Sequence, residues 1–297
     1  MGIYLSSPDT RKDSIDGAGN GVKFGSSSMQ GWRLNMEDDH ISEACFDKNT
    51  SLFAVFDGHG GSEVAKYCAK YFGGELKKNK NYQSGRYDEA LKEVFLYMDV
   101  LLTAPEGQAE LKTLKTDQDG ADSFAGCTSN VILIVNKVVY CANAGDSRTI
   151  LYSNKRVIAL STDHKPDDEI EKARISKAGG FIIEGRVNGN LNLSRALGDL
   201  EYKKNPSLKP QEQLISAYPD IVTHTIKAED AFLVMGCDGI WEIMNQDEIC
   251  ETAESKMKTS SKLTEVAEEI LDKGLAPDTS QGIGCDNMSC IVIQLHC

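Results

Sequence analysis

No run of about 18 apolar residues occurs in the 297-residue chain, so no segment reads as a bilayer-spanning helix. The first residues lack the basic stretch and apolar stretch of a secretory leader. Low-complexity tracts, repeats at solenoid spacing and a proline-rich linker are also missing, and the 7 prolines are scattered. A single large domain is the expectation. The 9 cysteines (45, 68, 127, 141, 237, 250, 285, 290 and 297) are odd in number and never form a CxxC pair. That spacing argues against a zinc ribbon and against a complete disulfide framework, and fits a reducing compartment. Basic residues are outnumbered 32 to 45, for a net charge of −13. Nucleic-acid surfaces carry the opposite balance, so no nucleic acid is expected as a partner. A cytoplasmic monomer is the expectation.

The opening "MGIYLS" matches the Met-Gly-x-x-x-Ser pattern for N-myristoylation at Gly2. Only Arg11 and Lys12 follow as basic residues. Acylation there would therefore give weak, reversible membrane association. Residues 1–22 are set apart as an N-terminal segment, and 23–297 as the domain proper.

Short β-rich runs predict strands at Leu52–Phe56, Asn130–Val135, Val138–Ala142, Thr149–Tyr152, Val157–Leu160, Ala231–Met235 and Cys290–Leu295. The links "NK", "AGDSR" and "SNKR" between 130 and 160 are too short for a crossover helix and imply an antiparallel meander. A 3.6-residue apolar period predicts helices over 87–102 and 261–274, and "DDEIEKARISKAGG" reads as a third. Hairpins alternating with helices point to an α+β layered fold rather than a doubly wound parallel sheet.

Acids recur at the ends of the apolar runs. "LFAVFDGHGG" and "FLVMGCDGIW" both break off into Asp-Gly, at Asp57 and Asp238. "CDNMSCIVIQL" places Asp286 and Asn287 before a strand, and "GWRLNMEDDH" holds Glu37, Asp38 and Asp39 in a row. Any one of these could be turn or cap chemistry. Four beside apolar strands suggest compensation of charge by a hard cation, since Mg²⁺ and Mn²⁺ take oxygen ligands. Glycine after Asp57 would let the backbone approach an ion, so the Gly58 carbonyl is itself a candidate ligand. "TDQDGADS" fails as a calcium loop because position one of its frame is Lys115 and no acid falls at the twelfth. "GHGGSEVA" lacks the Gly-Lys-Ser/Thr of a P-loop.

Taken in order, "SSMQGWRLNMEDDH", "LFAVFDGHGG", "AGCTSN", "NAGDSR", "TDHKP", "LNLSRALGD", "CDGIWE" and "GCDNMSCIVI" resemble the motif set of the metal-dependent protein serine/threonine phosphatases, the protein phosphatase 2C family. The resemblance runs from about Ser26 to Ile293. It implies a four-layer α/β/β/α sandwich, two antiparallel sheets flanked by helices, with Mg²⁺ or Mn²⁺ at one edge. Two ions are implied per active site: Asp57 bridging both, Asp238 and Asp286 on one, Glu37 and the Gly58 carbonyl on the other. Asp146 with Asp238 matches a third, weaker position, although many members carry aspartate where this chain has Glu242. Arg33 is implied to bind the substrate phosphate, Asp38 to orient a water and His59 to act as general acid. Asp199 is assigned to support of the metal shell, and "EIEKARISKAGGFIIEGRVNGNLNLSRALGD" to a flap and the segment following it, bordering the cleft. Phosphorylated proteins are the implied substrates. A pseudophosphatase is disfavoured because the core acids and Arg33 are all present, and a phosphodiesterase by the motif order. No Cys-x5-Arg signature of a cysteine phosphatase occurs.

Overall fold

The computed structural model describes residues 4–115 and 124–296; the Gly2 motif and the dismissed calcium-loop stretch 116–123 lie outside them. Strands Thr50–Phe56 and Ser129–Val135 are buried at every position. Their lack of polar alternation follows from having both faces covered. Phe53 and Val55 point into one apolar cluster while Leu52, Ala54 and Phe56 point into another, the two-residue period of a pleated strand.

Two antiparallel sheets are built this way. The larger runs in the order Tyr4–Gly19, Val22–Arg33, Met288–Gln294, Asp230–Gly236, Arg148–Ser153 and Arg156–Ala159. The smaller runs Asp220–Thr225, Val138–Ala144, Ser129–Val135, Thr50–Phe56 and Asp39–Asp47. Phe24, Phe53, Ile132, Leu151, Leu233 and Ile291 fill the layer between them. Helices Glu63–Lys78 and Tyr87–Thr103 cover the outside of the smaller sheet, with Phe72, Leu91 and Phe95 meeting Phe56. Helices Gln246–Met257 and Leu263–Gly274 cover the larger, burying Ile249, Val266 and Ile270 against Val234 and Val292. The four-layer sandwich expected from the sequence is thus the fold observed.

Two details differ from the expectation. The links "NK" and "SNKR" close hairpins, but "AGDSR" does not continue a meander: Val138–Ala144 lies in the smaller sheet and Arg148–Ser153 in the larger. The short link steps from one layer to the other, which needs no more chain than a turn. Residues 4–19, separated in the sequence reading as part of an N-terminal segment, form the edge strand of the larger sheet, with Tyr4 opposite Arg33 and Gly19 opposite Val22.

Candidate active site

Strand register brings the acid-bearing ends together. Asp39 pairs with Phe56, Ser129 with Ala144, Gly236 with both Cys290 and Arg148, and Met288 with Met29. The segments just beyond these pairs carry Asp38, Asp57, Asp146, Asp238 and Asp286. Ligand atoms of Asp57, Asp146 and Asp238 all lie within 4.8 Å of one another, as do those of Asp38, Asp57 and Cys237. Asp57 is common to both groups.

This concentration of charge is electrostatically costly. Burial, then the neighbouring Asp38, Asp238, Asp146 and Asp286 carboxylates, push Asp57 well above the usual carboxylate range. Asp238 is pushed up by burial and by Asp146, Asp286 and Glu242, with Lys165 opposing. Burial raises Asp38 to about 6, against the hydrogen bond that Ser289 Oγ donates to its Oδ2 at 2.7 Å. A set of carboxylates spaced this closely is a hard-oxygen donor set.

Asp286 and Glu37 lie outside those two groups. Asp286 Oδ2 accepts from Arg33 Nη2 at 2.6 Å, so the guanidinium is its counter-charge, and Arg33 stays 46% exposed for further contacts. Asn287 braces the loop before Asp38: its Nδ2 donates to the carbonyls of Gln30 at 2.8 Å and Asn35 at 3.0 Å, while its Oδ1 accepts the Glu37 N–H at 2.9 Å. Glu37 in turn lies against Gly58, where a Cβ would sit 2.3 Å from the Glu37 carbonyl oxygen. Only glycine allows that approach.

His59 is held by Asp199, with Nε2 and Oδ2 2.7 Å apart. Burial acts to lower the imidazole, but the Asp199 carboxylate outweighs it and holds His59 above its usual range. Asp199 therefore braces the histidine, and its carboxylate falls in neither of the two carboxylate groups. The reason is local: strand pair Gly58–His59 and Gly126–Cys127 continues to Leu197–Gly198, which delivers Asp199 beside His59.

Sequence reasoning also missed the link between Asp57 and the loop of Asp146. The Thr128 N–H donates to the Asp57 carbonyl at 2.8 Å, and Thr128 Oγ1 shares a 2.7 Å hydrogen bond with Ser147 Oγ. Cys237, read as packing, does pack in the layer between the sheets, and its Sγ also reaches the Asp38–Asp57 pair. Among the sequence signals, only the motif "AGCTSN" marked Thr128, without indicating what it would touch.

A family model described as "Protein phosphatase 2C" matches residues 22–283. The chain is 52% identical to "Protein phosphatase 2C 1" of Paramecium tetraurelia over 301 residues, covering all of both chains. It is 45% identical to "Protein phosphatase 2C homolog 2" of Schizosaccharomyces pombe, covering 100% of this chain and 79% of that one. Among solved structures, a Toxoplasma gondii phosphatase is similar with a TM-score of 0.78 and 26% identity, over 96% of each chain. On these matches and this fold, the chain belongs to the protein phosphatase 2C family of metal-dependent protein phosphatases.

Proposed function

We propose that the protein hydrolyses phosphoserine and phosphothreonine in proteins at a centre for two divalent cations. Asp57 would serve both ions, Asp238 and Asp286 would hold one, and Glu37 with the Gly58 carbonyl the other; Asp146 would serve a third, weaker position. The observation that carries this reading is the convergence of Asp57, Asp146 and Asp238 within 4.8 Å in a partly buried edge of the sandwich. Their mutual repulsion is relieved by hard cations, and oxygen donors of this kind fit Mg²⁺ or Mn²⁺. When bound, the ions supply an acidified water and neutralise charge on the phosphoryl group.

The chain's own residues do the rest. Arg33, exposed and anchored at one nitrogen on Asp286, offers its remaining N–H groups to the phosphate oxygens. Asp38, fixed by Ser289, accepts a hydrogen bond from the attacking water and orients it. His59, cationic and held at Nε2 by Asp199, offers its Nδ1 proton to the leaving serine or threonine oxygen. The Asp57 backbone, tied to Thr128, keeps the shared carboxylate at the strand end.

The test is an assay of a phosphothreonine peptide and a phosphodiester with Mn²⁺, with Mg²⁺ and with EDTA. Monoester turnover with either ion, abolished by EDTA and by Asp57→Asn, is expected. An EDTA-resistant rate would refute the metal reading. We further propose a cytoplasmic monomer with weak, reversible membrane attachment through an acylated Gly2, which intact mass from the native cell and sedimentation would check. Among the described residues no helix is long and apolar enough to cross a membrane.

A further inference from the structure

One cation already faces the carboxylate group of Asp57, Asp146 and Asp238. Lys165 Nζ donates to Asp146 Oδ2, and its charge is felt by Asp238. The backbone that carries it is fixed at several points. The Lys165 N–H donates to Asp168 Oδ2 at 2.9 Å. The preceding His164, buried, donates its N–H to the Gly145 carbonyl at 3.0 Å and accepts the Gly145 N–H on Nδ1 at 3.2 Å. The lysine stem therefore starts from a position locked to the loop that bears Asp146. Solvent reaches the lysine and not its partner, since the Lys165 side chain is 45% exposed while that of Asp146 is 3% exposed. A second acid on this side is already partly engaged: Glu242, whose charge is felt by Asp238, accepts the Gly284 N–H on Oε2 at 2.6 Å.

We propose that Lys165 is a tethered cation that competes with a metal ion for Asp146, so that the Asp146 side of the centre fills last and most weakly. The proposal rests on the metal reading above. An ion arriving at Asp146 must displace an ammonium that is paired with the carboxylate and kept beside it at high effective concentration by its tether, and must accept a like charge nearby if the lysine stays close. The lysine then swings to the solvent side, which its 45% exposed side chain can reach.

Mn²⁺ binding to the full chain, followed by equilibrium dialysis and by the loss of the free-ion paramagnetic resonance signal, separates the possibilities. Wild type, Lys165→Gln, Lys165→Met and Lys165→Arg are compared, each checked for its thermal unfolding. Two ions should bind wild type before a weaker third. Removing the charge should tighten the third step by about tenfold or more, the effect of about 1.4 kcal/mol, while Lys165→Arg should keep wild-type behaviour. A third step unchanged in both neutral variants, or one as tight in wild type as the first two, overturns the proposal and leaves the two-ion reading intact. A wild-type chain that binds no Mn²⁺ refutes the metal reading itself.

Discussion

Gly58→Ala tests how tightly the centre depends on backbone approach. An added methyl would sit 2.3 Å from the Glu37 carbonyl oxygen, 3.1 Å from its carbonyl carbon and 3.2 Å from its Cβ. Ordinary contacts of this kind are about 3.5 Å, so one of the two backbones must retreat by about 1 Å. Neither can do so cheaply. Gly58 pairs with Cys127 in a small sheet, and Glu37 is held by Asn287. Displacement of a reacting centre by about 1 Å costs on the order of 10²-fold in rate. The expected outcome is a loss of kcat of that order on a phosphothreonine peptide, with a higher Mn²⁺ requirement, while the apolar layers and hence most of the stability persist. Steady-state kinetics across a Mn²⁺ titration, with thermal unfolding alongside, would decide it. Turnover within about threefold of wild type at the same Mn²⁺ requirement would show that the Glu37–Gly58 contact does not set the geometry of the site.

Removal of Asp199 by Asp199→Ala should lower turnover of phosphothreonine far more than of p-nitrophenyl phosphate, because only a poor leaving group needs the His59 proton; equal losses would remove His59 from that role. Asn287→Ala frees the Glu37 N–H and the Gln30 and Asn35 carbonyls from their clamp, so the Mn²⁺ concentration for half-maximal rate should rise by about tenfold and the unfolding temperature should fall. Glu171 gives the acid sensitivity of the flap. Burial works against its charge, but Arg195 and Arg174 win and hold its carboxyl at about 2 rather than 4.5. Its folded pKa lies below its unfolded one, so the triad's stabilisation, about 3 kcal/mol, is present above about pH 4.5 and is lost as pH falls toward 2. The stability gap between wild type and Glu171→Gln in urea unfolding should accordingly narrow between pH 4.5 and 2.5; a gap independent of pH would contradict that assignment.

The layers of the fold were legible because burial on both faces leaves a compositional mark. Strands such as Thr50–Phe56 read as unbroken apolar runs, and helix Tyr87–Thr103 carries its stripe at the right period. Strands 22–33 and 39–47 left no such mark. Val22–Arg33 is rich in serine and glycine, and those small residues are buried by close approach of the backbone: a Cβ on Gly25 would lie 2.1 Å from the Leu263 carbonyl carbon. Strand prediction from apolar content cannot see a surface that packs by being small.

The site divides along a similar line. Acids at strand ends announce themselves because a charge interrupting an apolar run demands compensation, and Asp57, Asp238 and Asp286 were found in that way. The residues that brace the site do not, since Asn287, Ser289, Thr128 and Asp199 act through hydrogen bonds across separations of 71 to 257 residues. What specifies such partners is register. Because Gly236 faces Cys290 and Met288 faces Met29, Ser289 must arrive beside the segment that carries Asp38, and a one-residue slip in that pairing would turn its hydroxyl to the opposite face of the sheet. The metal acids can therefore be read one motif at a time, whereas their support becomes readable only once the order and alignment of the strands are known.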